Sequence, residues 1–188
     1  MAEVKILVEG YVSADVGDDR TCPTMTLIRD TLNGKKIVIV VDPGVISDRN
    51  ILINELSKEN LSVDDIDIVF LTHSHLDHFR NIGLFPNSKA LDFWGIWDKD
   101  KCASWKEIFS DNIEIVKTSG HSSDSLTFFV KTKIGIVAIC GDVFWKENYP
   151  EIDSYATDLN KLNESRKLVL QKADYIIPGH GKMFRVEK

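Results

Sequence analysis

The stretch Phe70-Leu71-Thr72-His73-Ser74-His75-Leu76-Asp77-His78 decides how this chain reads. A short apolar run, Val69-Phe70-Leu71, stops abruptly. His73, His75, Asp77 and His78 then follow where a buried strand would give way to a loop. Neutral imidazole and carboxylate are the ligands that zinc and similar ions select, so this density points to a metal site rather than to polar residues on a solvated turn. In extended chain alternate residues share a side, so His73, His75 and Asp77 can converge while His78 turns elsewhere once a helix begins. One ion is not expected to satisfy all four.

The rest of the histidine inventory fits the same scheme. The chain has 5 His, three of them in the cluster; the others are His121 in Thr118-Ser119-Gly120-His121-Ser122 and His180 in Pro178-Gly179-His180-Gly181. Each follows an apolar run and stands beside glycine. Asp142 closes the run Ile136-Val137-Ala138-Ile139-Cys140-Gly141 in the same way. Hydrophobic strands therefore repeatedly deliver a ligand-type residue at their exits, and loops held by a rigid sheet are where catalytic groups tend to sit.

This pattern resembles the metallo-β-lactamase fold hydrolases, which carry an H-x-H-x-D-H signature followed by separate His, Asp and His ligands. The likeness runs from Asp42-Pro43-Gly44, which looks like the family's first motif, through His73 to His78, His121 and Asp142, to His180. It implies that His73, His75 and His121 hold one metal, that Asp77, His78 and His180 hold a second, and that Asp142 bridges them, with Asp42 supporting from behind. The ending Ile176 to Val186 and the piece Gly141-Asp142-Val143-Phe144 look more narrowly like the branch called metallo-β-lactamase domain-containing protein 1.

Composition bounds the remaining choices. The chain has 188 residues with 43% hydrophobic and 28% charged content and a net charge of −6, which suits one soluble domain spanning 1–188. The acidic balance gives no reason to expect non-specific binding to nucleic acid or an anionic membrane. Neither a leader peptide nor a membrane-spanning run is legible. Cys22, Cys102 and Cys140 are odd in number and lack C-x-x-C spacing, so a cytoplasmic location is expected.

In chain order, Val4 to Val12 reads as a strand leading into a charged loop, Ser13 to Arg20, which either overhangs the metals or is a solvated turn. Met25 to Leu32 and Lys36 to Val41 read as strands joined by an Asn33-Gly34 hairpin. Asp48 is placed to cap a helix reaching about Asn60, and a short helix is expected near Phe79 to Leu84, before Pro86. The segment 89–110 holds Trp94, Trp97 and Trp105, which read as either a pocket wall or core packing, the commoner use of tryptophan. Ile113 to Lys117, Leu126 to Thr132 and Ile134 to Cys140 read as strands, Asp158 to Ala173 as an amphipathic helix, and Asp174 to Ile177 as a last strand. Two batches of strands, each followed by helix, suggest two packed sheets with helices outside. The resemblance implies the same α/β architecture, a four-layer αβ/βα sandwich of two mixed sheets.

The expected chemistry follows. The resemblance implies two divalent ions, zinc first with iron or manganese as alternatives, and a metal-bridging hydroxide that attacks a carbonyl or phosphoryl centre. Asp77 is the expected catalytic group besides being a ligand, orienting or relaying a proton. An Asp at 142, where common zinc lactamases carry Cys, argues against a dedicated lactamase. The distance of 180 − 142 = 38 positions from Asp142 to His180 leaves no room for the large inserted domain of RNA-cleaving cleavage factors. The expected substrate is a small-molecule ester, thioester or lactone, with a nucleic-acid phosphodiesterase acting on RNA as the alternative. The oligomeric state is left open, a homodimer included.

Overall fold

The computed structural model describes residues 1–13, 20–148 and 150–187. The expected overhang of the metals by the loop 13–20 falls largely on 14–19, outside the described residues. In the first half, β1 (Glu3–Val8), a small hairpin of β2 (Tyr11–Val12) and β3 (Thr21–Cys22), β4 (Met25–Leu32) and β5 (Lys35–Val41) precede α1 (Asn50–Lys58). Then come β6 (Ile68–Phe70), α2 (Leu76–Phe79), β7 (Lys89–Leu91), β8 (Ile96–Asp98) and β9 (Lys101–Ala103). The second half has β10 (Ile113–Lys117), β11 (Leu126–Thr132), β12 (Gly135–Ile139), α3 (Leu159–Lys172), β13 (Tyr175–Ile177) and β14 (Phe184–Arg185). A seven-stranded sheet runs β1-β4-β5-β6-β7-β8-β9 and a five-stranded sheet β10-β11-β12-β13-β14.

Both sheets are mixed and buried on two faces, and the period-2 alternation of their strands builds three apolar layers. Ile39 and Val41 of β5, Ile68 and Phe70 of β6, Phe128 and Val130 of β11, and Val137 and Ile139 of β12 fill the space between the sheets. The intervening Val40 and Val69 point the other way, onto Leu52 and Leu56 of α1. Phe129 and Ala138 likewise face Leu162 and Val169 of α3. Helix on sheet, sheet on sheet and sheet on helix make the four-layer αβ/βα sandwich expected from the strand batches.

The arrangement also decides where loops emerge. β5, β6 and β7 are parallel neighbours, as are β12 and β13. Their carboxyl ends lead directly to Asp42, to His73, to Asp142 and to His180. β10 is antiparallel to β11, which is antiparallel to β12, so the exit of β10 toward His121 lies at the same end as that of β12. Sites in α/β folds form outside the carboxyl ends of strands for this reason.

Several expected elements change. The strand placed at Val4 to Val12 breaks after Val8, and Gly10 in the break passes so close to the chain between β3 and β4 that a Cβ there would lie 2.5 Å from the Thr24 nitrogen. The Asn33-Gly34 hairpin holds, with φ of 51° and 78°. α1 starts at Asn50, whose N–H donates to Asp48 Oδ1 at 2.9 Å. The short helix expected at Phe79 to Leu84 begins earlier, at Leu76, and a separate 3₁₀ turn covers Ile82–Leu84. In α3 the buried face is Leu162, Ser165 and Val169, while Leu159 and Leu170 are exposed. No helix among the described residues is long and apolar enough to cross a membrane.

Candidate metal centre

The seven residues singled out in the sequence come together in two groups. His73, His75, His121 and Asp142 form one, and Asp77, His78 and His180 the other; within each, potential ligand atoms lie within 4.8 Å of one another. The alternation argument put Asp77 with His73 and His75, and the structure corrects it. His75 is the last extended residue (φ −74°, ψ 138°) and α2 begins at Leu76, so Asp77 leaves the strand's periodicity and joins His78 on the helix.

Distances define the two nests. His75 Nδ1 lies 3.0 Å from both His73 Nε2 and His121 Nε2, and Asp142 Oδ2 is 3.3 Å from His121 Nε2. On the other side Asp142 Oδ1 stands 3.3 Å from His78 Nε2 and 3.2 Å from His180 Nε2, with Asp77 Oδ2 at 3.9 and 3.7 Å from the same nitrogens. Ligands at the ~2.0–2.1 Å bond length of a tetrahedral zinc site would be about 3.3 Å apart. Asp142 thus stands between the groups, with Oδ1 toward His78 and His180 and Oδ2 3.3 Å from the Nε2 atoms of both His121 and His180.

The outer nitrogens are held by acceptors. His78 Nδ1 meets Asp42 Oδ2 at 2.8 Å and His121 Nδ1 meets Asp153 Oδ2 at 2.7 Å. His180 Nδ1 meets the Cys22 carbonyl at 3.0 Å, and His73 Nδ1 meets Thr72 Oγ1 at 3.1 Å. Thr72 Oγ1 in turn donates to Asp42 Oδ2 at 2.6 Å. Acceptors at Nδ1 put the proton there and leave Nε2 as a bare lone pair, as in carboxylate-histidine-metal arrangements. Lone pairs therefore converge at about hydrogen-bond distance without enough protons to go between them. His78 Nε2 and Asp142 Oδ1, both buried, have no hydrogen-bond partner. Such orphans are costly unless a cation takes the position, so the donor set fits a metal.

The electrostatics agree. Burial, followed by the neighbouring His78, holds His73 well below the ordinary histidine range, and burial and His121 lower His75, so both are neutral, the ligating form. Burial alone would drive Asp142 toward the neutral acid, but His180 and His78 outweigh it and hold the carboxyl well below its usual range. Burial also opposes a charge on His78, yet Asp142 and Asp42 prevail and hold it well above the usual range. The two carboxylates thus call for positive charge at the His78 imidazole, a charge that a metal bound there would supply.

Above the nests opens a cavity of about 540 Å³ lined by His75, Asp77, His121, Asp142 and His180, with Val12, Val45, Leu76, Trp145 and Tyr155 among its apolar walls and Arg20 and Arg80 among its polar ones. The tryptophans of 89–110 do not line it. Trp105 packs on the core with Nε1 donating to the Asp92 carbonyl at 2.8 Å, and Trp94 is 73% exposed elsewhere on the surface. Sequence reading missed Trp145, Arg80 and Tyr155 as lining residues and Asp153 as the partner of His121. Arg80 lies two positions past His78, a signal that was available; Asp153 sits in an irregular segment with no periodicity to place it.

Comparison with known proteins agrees with this geometry. The pattern of the Metallo-beta-lactamase superfamily matches residues 23–100. A Xenopus laevis protein named metallo-beta-lactamase domain-containing protein 1 is 32% identical over 98% of this chain and 82% of its own length; of the mouse protein of that name, also 32% identical, the match covers 79% of this chain and 61% of the relative. The crystal structure of a candidate metallo-beta-lactamase from Thermotoga maritima superposes with a TM-score of 0.75 at 24% identity, covering 98% of this chain and 99% of that one. An N-acyl homoserine lactone hydrolase shares the fold, with a TM-score of 0.67 at 15% identity over 95% and 92% of the two chains. Since the frog relative is 32% identical over almost all of this chain and more than two thirds of its own length, this chain belongs to the metallo-beta-lactamase superfamily.

Proposed function

We propose that the protein is a dinuclear metal-dependent hydrolase of a small-molecule ester, thioester or lactone. The observation that carries this reading is Asp142, whose carboxylate lines the cavity and lies within 3.3 Å of imidazole nitrogens from both groups, His121 on one side and His78 and His180 on the other. His73, His75 and His121 would hold one ion and Asp77, His78 and His180 the other; this imidazole-rich, thiolate-free set suits zinc, with iron or manganese as alternatives. Bound divalent ions supply a water acidified to a pKa of about 7 and polarise the oxygen of the scissile group.

The chain's own residues do the rest. Asp42, Asp153 and the Cys22 carbonyl hold the imidazoles in one tautomer and orientation. Asp77 accepts from the Thr21 hydroxyl at 2.9 Å and lines the cavity, where its carboxylate orients the proton of the attacking water. Leu76, Val45, Trp145 and Tyr155 offer apolar contact to an acyl group and exclude water around it. The three cysteines are free, which supports a reducing compartment such as the cytoplasm.

The test is metal analysis together with an activity screen of metal-defined protein against thioester, lactone, phosphodiester and RNA substrates. Two ions per chain with turnover of an acyl substrate are expected. A reproducible value near one ion at full activity would sink the dinuclear assignment. Efficient RNA cleavage falling by orders of magnitude over a few-fold rise in salt, with negligible acyl turnover, would replace the acyl reading by the phosphodiesterase one.

A further inference from the structure

The cavity above the metal centre carries a charge that hydrolysis itself does not use. Arg80 directly follows α2 and lines the cavity together with Leu76 and Asp77, which precede it by four and three residues and so share its side of the helix. An arginine in that position is well placed to close an ion pair with the aspartate. Yet among the described residues no carboxylate lies within ion-pair distance of the Arg80 guanidinium and no hydrogen bond takes up its donors. The Asp77 carboxylate accepts from Thr21 instead and faces His78 and His180.

A guanidinium is charged at every working pH and presents a planar fork of donors matched to the two oxygens of a carboxylate or phosphate. Beyond Asp77 and Asp142, both turned to the ligand groups, no carboxylate among the described residues lines the cavity, whereas a second arginine, Arg20, also reaches it. Trp145 and Tyr155 supply apolar wall in the same cavity.

We propose that the substrate of this site is an anion: an acyl compound bearing an oxyanion, carboxylate or phosphate, which Arg80 holds away from the scissile bond. This rests on the hydrolase reading above. For a thioester of this kind, water adds at the acyl carbon, the C–S bond breaks, and the products are a carboxylic acid and a thiol that takes the remaining proton. The oxyanion stays on Arg80 throughout.

The experiment compares three hexanoyl thioesters on zinc-loaded protein: that of 3-mercaptopropionate, that of 2-mercaptoethyl phosphate and the neutral one of N-acetylcysteamine. In the wild type, kcat/KM is expected to favour an anionic ester over the neutral one by about tenfold, as for one charge-assisted hydrogen-bonded contact. The larger of the two anionic preferences identifies the oxyanion. Arg80→Gln should abolish the preference through KM, and Arg80→Lys should restore part of it. In parallel, calorimetry follows binding of the unreactive thioether S-hexyl-3-mercaptopropionate and of its amide. Zinc content of each variant guards against an indirect effect. No preference in the wild type, or a preference that survives Arg80→Gln, overturns the proposal. Arg80-dependent binding of the thioether without turnover of any thioester would leave this inference standing and remove the acyl-hydrolase reading.

Discussion

Asp42 adopts a left-handed backbone, with φ of 48°, that disfavours an L residue by about 1–2 kcal/mol. Its carboxylate offsets this by accepting from the Thr72 N–H at 2.8 Å, the Thr72 hydroxyl at 2.6 Å and His78 Nδ1 at 2.8 Å. Asp153 does similar service with less strain, accepting from His121 at 2.7 Å and, through its other oxygen, from the Tyr155 N–H at 2.9 Å. Asp153→Asn would leave a near-isosteric group that can no longer accept at both oxygens, and metal affinity should fall about 10 to 100-fold, the usual range for such partners. Competition with a chromogenic chelator measures it; unchanged affinity would mean that His121 is oriented by packing alone. Titration gives a second residue-scale expectation. Burial, with Asp77 nearby, pushes the Cys22 thiol up to about 11, and burial raises Cys140 further, while Cys102 is exposed. The thiolate is the reactive form, so at pH 8 the folded protein should take up one equivalent of a thiol reagent rapidly. Because the folded pKa of Cys22 lies above its unfolded value, unfolded chains lose this proton first, and stability should decline as pH rises from about 9 toward 11. Rapid uptake of two or three equivalents at pH 8 would contradict the burial of Cys22 and Cys140.

At the scale of elements, α3 does more than cover the second sheet. The turn before it is tied to the His121 loop by the Asp158 N–H and the Thr157 hydroxyl, which donate to the Gly120 carbonyl, and by the Thr157 N–H, which donates to the His121 carbonyl. Ser165 of α3 donates to the Ser119 carbonyl at 2.8 Å. Gly120, at φ 142°, allows this approach: a Cβ there would lie 2.2 Å from the Leu162 nitrogen. Gly120→Ala should therefore lower stability by several kcal/mol, a strained φ and an overpacked contact together, and loosen the metal site that includes His121. Denaturant unfolding and metal titration of the variant test both. The glycine beside His180 has a comparable reason, since a Cβ on Gly179 would sit 1.9 Å from Asp142 Oδ1. Both glycines were visible in the sequence beside their histidines; what they avoid touching was not, because Leu162 and Asp142 are some forty residues away along the chain and meet them only through packing. Longer strands rich in apolar residues, such as Met25–Leu32 and Leu126–Thr132, were legible to the residue. Three-residue strands in the 89–110 segment were not, because they are too short for a period to emerge. The tryptophans there left a pocket wall and core packing both open, for want of any cue to their direction. Trp94, exposed and outside the cavity, should leave KM unchanged when replaced by Ala, whereas Trp145→Ala should raise it. The reverse pattern in steady-state kinetics would make Trp94 part of the substrate pocket.

For the whole molecule the organising fact is that loops from both sheets, separated by up to 180 − 42 = 138 positions between Asp42 and His180, converge at one end of the sandwich. A metal centre there would fasten the two sheets to each other, since His73, His75, Asp77 and His78 come from the first half and His121, Asp142 and His180 from the second. Without metal, the native state keeps His78 Nε2 and Asp142 Oδ1 buried and unpartnered, whereas the unfolded chain solvates them. A ligand bound only by the native state adds RT ln(1 + [L]/Kd), about 2.7 kcal/mol at a hundredfold excess over Kd. For a domain of this size each kcal/mol moves Tm by about 2–4 °C. Stripping the metal should therefore lower Tm by about 5–10 °C, and zinc should restore it in a concentration-dependent way. Arg80→Gln, which changes the cavity and not the nests, should show the same metal-dependent shift as the wild type, while Asp142→Ala should lose most of it because its carboxylate serves both groups. An unchanged Tm after removal verified by elemental analysis would mean that the sheets hold these seven side chains in place by packing alone, and that their convergence is not a metal centre.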